Sequence, residues 1–74
     1  MKLNTLGKNQ TELTINNKKI FFSYNTPVVV EVEGKIYVKK EKFSKTTSEH
    51  IVQYLQGRKH TILEASEFEL LAKF

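Results

Sequence analysis

The sequence predicts an α+β fold: a small antiparallel sheet of two hairpins, with one or two short helices packed on one face. Three observations carry this. Between residues 11 and 40, apolar and polar residues alternate in four short runs, the period of half-buried strands. Turn residues separate the runs. After residue 45 the apolar spacing changes to a helical one, framed by capping signals. Strands followed by helices argue for an antiparallel sheet covered by helices.

Each element can be justified in turn. Residues 1–10 are polar and contain Gly7, as expected of a loose arm or short edge strand. The run 11-TELTI-15 sets Leu13 and Ile15 on one face. Asn16-Asn17-Lys18-Lys19 is turn chemistry, because asparagine tolerates positive φ. The run 20-IFFSY-24 then sets Ile20, Phe22 and Tyr24 on one face and closes a first hairpin. Pro27 lacks an N–H and holds Thr26 extended, so pairing is expected to be interrupted at Asn25-Thr26-Pro27. A second hairpin follows from 28-VVVEVE-33, Gly34 and 36-IYVKK-40. Thr46 with Glu49 has the form of a capping box, opening a helix with Ile51, Tyr54 and Leu55 on one face and Val52 beside them. Gly57 suits the left-handed position that ends it. Thr61-Ile62-Leu63 reads as a last short strand. Ser66 with Glu69 has the form of a second capping box, before a helix carrying Phe68, Leu70, Leu71, Ala72 and Phe74.

At 74 residues the chain makes one domain. A domain this small buries only about 60% of its unfolded surface. It has no cysteine, so neither a disulfide nor a thiolate metal site can reinforce it. Homo-oligomerisation is the expected extra source of stability. No apolar run approaches the roughly 20 residues that span a bilayer. No signal-peptide core follows Met1-Lys2-Leu3, and the expected location is the cytoplasm. The formal net charge is +4, concentrated at Lys35, Lys39, Lys40, Lys42 and Lys45 around a single Glu41. Such a block suits an anionic partner, and it equally suits a lysine-guarded sheet edge.

Catalytic constellations are absent from the sequence pattern. With no Cys and no Asp, a Cys–His pair and a Ser-His-Asp triad are excluded. A Ser-His-Glu arrangement stays formally open, but Ser23, Ser44, Ser48 and Ser66 are the serines available and lie in no nucleophile elbow. His50 and His60 have no carboxylate at metal spacing, and His50 is expected at the first helical turn or on the solvent side. Gly7, Gly34 and Gly57 are too scattered to form a phosphate loop. The expectation is therefore a binding protein with no catalytic residue, no cofactor and no metal.

Two segments qualify as a binding site. A helix start offers free N–H groups and a positive dipole end to a phosphate. Here Lys42 and Lys45 frame that start, with the hydroxyls of Thr46, Thr47 and Ser48 and with His50 one turn on. The plain reading of Thr46 and Glu49 is a cap and nothing more. The second segment is Tyr24-Asn25-Thr26, an aromatic at a strand end that could stack a base or simply pack in the core.

The stretches FSYNTPV, EGKIYVK and FSKTTSEHIVQYL together resemble a family of short proteins, largely from bacteriophages and mobile elements, with Phe-Ser-Tyr-x-Thr-Pro-Val and Thr-Thr-Ser-x-His-Ile motifs. The resemblance covers residues 11–57, with Phe43 where the family pattern has tryptophan. The family has no settled function. The resemblance implies a phage context, hence the host cytoplasm and a role in countering a host process.

Three functions follow as expectations. The first is binding of an anionic, phosphate-bearing, nucleotide-like small molecule through Tyr24, Asn25, Thr26, Lys42, Lys45, Thr47, Ser48 and His50. The second is inhibition of a host protein. The third is nucleic-acid binding, for which a single arginine, Arg58, is poor equipment for base readout.

Overall fold

The computed structural model describes residues 2–72, and the expected Phe74 end of the last helix lies outside them. The chain forms six strands and two helices. They are β1 (Lys2–Gly7), β2 (Gln10–Ile15), β3 (Lys18–Ser23), β4 (Thr26–Val32), β5 (Lys35–Lys39), α1 (Lys45–Leu55), β6 (Thr61–Leu63) and α2 (Ala65–Leu71). The sheet order is β1-β2-β3-β4-β5-β6. The first five strands are an antiparallel meander. β6 pairs parallel to β5, with Tyr37 opposite Thr61, and α1 makes the crossover that a parallel pair needs. The α+β class read from the sequence is the class of the fold.

Two-residue turns join the meander, and each uses a left-handed residue: Asn9, Asn16, Tyr24, then Glu33 with Gly34. The last of these, positive at both positions, has the twist that two-residue hairpins favour. Residues 2–9 form an edge strand and a turn, the second of the two expectations for this segment. At Asn25-Thr26-Pro27 the sheet is not interrupted. Thr26 pairs with Ser23 and Pro27 with Phe22, so the two expected hairpins fuse into one sheet. The ladder absorbs proline with a bulge, because Val29, not Val28, stands opposite Phe21. The bulge sends Val28 and Val29 into the same cluster.

Both faces of the central strands are buried, and the two helices divide the faces where one shared face was expected. Phe21, Val28, Val29, Ile36 and Val38 pack under Ile51 and Leu55 of α1, with Phe43 and Tyr54 at the margin. Leu13, Ile20 and Val30 pack under Phe68 and Ala72 at α2. Consecutive residues Ile20 and Phe21 point to opposite clusters, as the strand period requires. Val52 and Leu70, expected near the core, are exposed.

Neither expected capping box forms. The N-cap of α1 is Ser44, in extended conformation, whose Oγ accepts a hydrogen bond from the Thr47 N–H at 3.2 Å. Phe43 is held against the core, so the chain must turn into the helix immediately after it. α2 starts at Ala65 without a side-chain cap, leaving Ser66 inside the first turn. Leu63 is tied to the sheet edge by a Lys40 N–H bond to its carbonyl, which fixes where α2 can begin. Two glutamates pair with cations instead: Glu64, just before the helix, with Lys40 at 3.2 Å, and Glu69 with Lys39 at 3.8 Å. At the other end of α1, Gln56 and Gly57 both take the left-handed conformation, so the expected glycine terminator is preceded by a second reversing residue.

Candidate functional site

The candidate site lies where the β3–β4 turn meets the first two turns of α1. β3 ends at Ser23, whose side chain points to the α1 face and is only 2% exposed. Ser23 Oγ lies 2.9 Å from His50 Nδ1 and 3.3 Å from Thr47 Oγ1. Thr47 Oγ1 is in turn 3.1 Å from the capping Ser44 Oγ. The result is a continuous chain, His50–Ser23–Thr47–Ser44, running from the buried side of the helix to its N-terminus. A buried hydroxyl without a partner would cost about 1–3 kcal/mol, and here each is satisfied by the next.

His50 is 9% exposed. It was expected at the first turn or facing solvent; it faces the sheet. Thr47, His50, Ile51, Tyr54 and Leu55 share the helical spacing of the inward stripe. Nδ1 is held by Ser23, and the other ring nitrogen has no partner among the described residues. The Ser23–His50 contact pairs a serine hydroxyl with an imidazole, and the sequence pattern concealed it. Ser23 is enclosed between β3 and α1, and His50 has no carboxylate on its far nitrogen among the described residues, so these residues present neither an open nucleophile nor an oriented base.

Tyr24 follows Ser23 and leaves the strand. It was expected to share a strand face with Ile20 and Phe22. It sits in the turn instead, at φ 59°, with its N–H bonded to the Asn9 carbonyl at 2.7 Å. Its side chain is 49% exposed, and its ring centroid lies 6.0 Å from that of His50 at an interplanar angle of 39°. A bulky residue held in the left-handed region costs about 1–2 kcal/mol relative to the residues that favour it. Such strain gathers at ligand sites.

The structure thus joins Tyr24, Thr47 and His50, through Ser23. Lys45 and Ser48 stand exposed on the first turn beside Thr47. Asn25, Thr26 and Lys42 are exposed on the two flanking segments, and their side chains form no hydrogen bond or ion pair among the described residues. The first turn of α1 contains no acidic residue. Glu49, expected to sit at the N-terminus as part of a capping box, is displaced from it because the helix begins two residues earlier than Thr46 would have placed it. The N–H groups of Lys45 and Thr46 have no partner among the described residues, the Thr47 N–H being taken by Ser44.

Further along α1, Tyr54 stacks on Phe21 at 4.2 Å between centroids and donates to Glu12 Oε2 at 2.6 Å. Arg58 lies over the same ring at 5.5 Å and pairs with Glu31 at 3.2 Å. Burial pushes the Tyr54 hydroxyl far above the usual tyrosine range; the hydrogen bond to Glu12 and the charges of Glu12 and Glu31 add to this, and Arg58 opposes it. No group of three potential metal ligands occurs among the described residues. No helix of the described residues is long and apolar enough to cross a membrane.

These features define a small meander-sheet protein of the α+β class, with a polar chain linking one hairpin turn to one helix start. The chain belongs to a family of unknown function, DUF8033, which it matches over residues 1–69. That span takes in both ends of the sheet and most of α2, beyond the 11–57 segment on which the resemblance rested. No curated protein and no solved structure matches the chain.

Proposed function

We propose that the protein is a non-enzymatic binder of an anionic, phosphate-bearing ligand, held at the start of α1 and under Tyr24. One observation carries the reading: among the described residues, the first turn of α1 has two N–H groups without a partner, the lysines Lys42 and Lys45 around it without an ion pair, and no acidic residue within it. Helix starts of this kind attract phosphate. The strained, exposed Tyr24 ring beside His50 supplies an aromatic surface next to that charge, as a nucleotide-like ligand would use. The roles assigned are charge from Lys42 and Lys45, hydroxyl donors from Thr47 and Ser48, stacking from Tyr24, and a positioning contact from His50 with Asn25 and Thr26 at the rim. A phage origin, a host-cytoplasmic site of action and interference with a host defence belong to the same proposal and rest on the motif resemblance alone.

The test is an amide NMR titration of the intact chain with inorganic phosphate and then AMP. Saturable shifts at Lys45, Thr46, Thr47 and Ser48, joined by Tyr24 once the base is present, support the reading. Shifts that stay linear in ligand concentration at all of these amides overturn it.

A second reading is favoured by β1. It is an outer strand of the sheet, with one edge unpaired among the described residues, and it exposes Leu3 and Leu6. A protein partner adding a strand there would use that edge. Protection of the outward N–H groups of β1 from hydrogen exchange, only when a captured partner is present, would distinguish it.

A further inference from the structure

A cationic hollow lies beside the β4–β5 turn. The parallel pairing of β6 on β5 puts Tyr37 against Thr61. Lys35 shares a sheet face with Tyr37, two residues away along β5. The left-handed exit of α1 at Gln56 and Gly57 turns the chain so that Lys59 and His60 arrive beside the β4–β5 turn. Lys35, Tyr37, Lys59, His60 and Thr61 line an open hollow of about 380 Å3, and no acidic residue lines it among the described residues.

The distribution of ion pairs sets this hollow apart. Lys39 pairs with Glu41 and Glu69, Lys40 with Glu64, and Arg58 with Glu31. Lys35 and Lys59 have no ion pair among the described residues, although the fold brings them together from positions far apart in the chain. Two lysines gathered in one hollow without an acid make its potential positive, which favours an anion there. His60 Nδ1 sits 3.2 Å from the Arg58 carbonyl, which leaves the other ring nitrogen unpartnered among the described residues. Lysine is a point-charge binder of phosphate, threonine adds a hydroxyl donor, and tyrosine adds a stacking surface.

We propose that the Lys35–Tyr37–Lys59–His60–Thr61 hollow is a phosphate-binding site, independent of the one at the start of α1. Its ligand is the phosphate group of a free nucleotide or of a single-stranded nucleic acid. The test is an amide NMR titration of the whole chain with inorganic phosphate, with AMP and with a ten-nucleotide oligothymidylate. Lys35→Gln with Lys59→Gln and Lys42→Gln with Lys45→Gln are titrated in parallel, each confirmed as folded by its melting temperature. Saturable shifts at Lys35, Tyr37, Lys59, His60 and Thr61 are expected, weakened at least about tenfold by the first double variant and unchanged by the second. Saturation by phosphate or AMP identifies a free phosphate ligand; saturation by the oligonucleotide alone identifies the polymer. The proposal is overturned if no probe gives saturable shifts at these amides, if Lys35→Gln with Lys59→Gln binds as tightly as the wild type, or if Lys42→Gln with Lys45→Gln abolishes the same shifts.

Discussion

The two faces of the sheet are built on different principles. The α2 face is centred on apolar packing, Leu13, Ile20 and Val30 against Phe68 and Ala72, under a seven-residue helix with no side-chain cap, and its polar ties are single contacts at the margin: Lys18 Nζ donates to the Leu71 carbonyl at 2.7 Å, and Lys39 and Lys40 pair with Glu69 and Glu64. The α1 face has an apolar centre of comparable make-up, but polar devices flank it. On one side runs the His50–Ser23–Thr47–Ser44 chain; on the other Tyr54 stacks on Phe21, bonds Glu12 and lies under Arg58. A buried polar network fixes geometry more than it adds stability. The contrast therefore teaches that one face holds the sheet together while the other also sets the position and angle of a helix start.

That contrast can be broken most sharply on the α2 face. Phe68 is fully buried, and Phe68→Ala should destabilise by about 3–5 kcal/mol. Chemical denaturation measures it. A loss under about 1 kcal/mol would mean that α2 is not a structural half of the core. Leu55→Ala on the opposite face should cost about 2–5 kcal/mol, since Leu55 is buried beside Ile51. A comparable loss at both sites would show that the two clusters share one cooperative fold.

Capping comes next in size. Ser44→Ala should lower stability by about 0.5–2 kcal/mol, because Ser44 is the cap and also ends the hydroxyl chain. Thr46→Ala should stay within about 0.5 kcal/mol, as an exposed position with no capping role. Equal thermal shifts in the two variants would contradict the assignment of the cap.

Tyr54→Phe keeps the ring on Phe21 and removes the bond to Glu12, for an expected loss of about 0.5–1.5 kcal/mol at neutral pH. Its pH dependence has a definite sign. The folded hydroxyl holds its proton more tightly than an unfolded tyrosine, whose value is about 10. Its contribution is therefore complete below about pH 10 and lost as pH rises above that. The wild-type advantage over Tyr54→Phe should shrink on the alkaline side. An advantage that grew with pH would reverse the account of Tyr54.

The sequence reading reached the strand runs, the α1 stripe and the α+β class because each has a strong local period. Several features escaped it, each for a physical reason. The Pro27 bulge was hidden because proline normally ends pairing, and only the neighbouring ladder shows that it is absorbed. The division of the helices between faces was hidden in β3 and β4, where Phe21 and Val29 are as buried as Ile20 and Val30, so alternation says little about which face a helix covers. The Ser23–His50 contact joins residues 27 apart and leaves no spacing signature. A hint was available: counting back in helical steps from Leu55 and Ile51 puts His50 and Thr47 on the inward stripe. Tyr24 falls in a turn and not on the strand because each two-residue turn of the meander takes a left-handed residue, and a tyrosine in that role defies its usual preference.

The most direct measurement concerns the helix start itself. Lys42→Gln with Lys45→Gln touches two exposed lysines with no ion pair among the described residues, so stability should change by less than about 0.5 kcal/mol. AMP binding at the Thr46 and Thr47 amides of the same samples should weaken by at least about tenfold, since a charge-assisted hydrogen bond is worth about 1.5–3 kcal/mol. A folded double variant that binds AMP at those amides as tightly as the wild type would contradict the central claim and leave Ser44–Thr47 a helix cap alone.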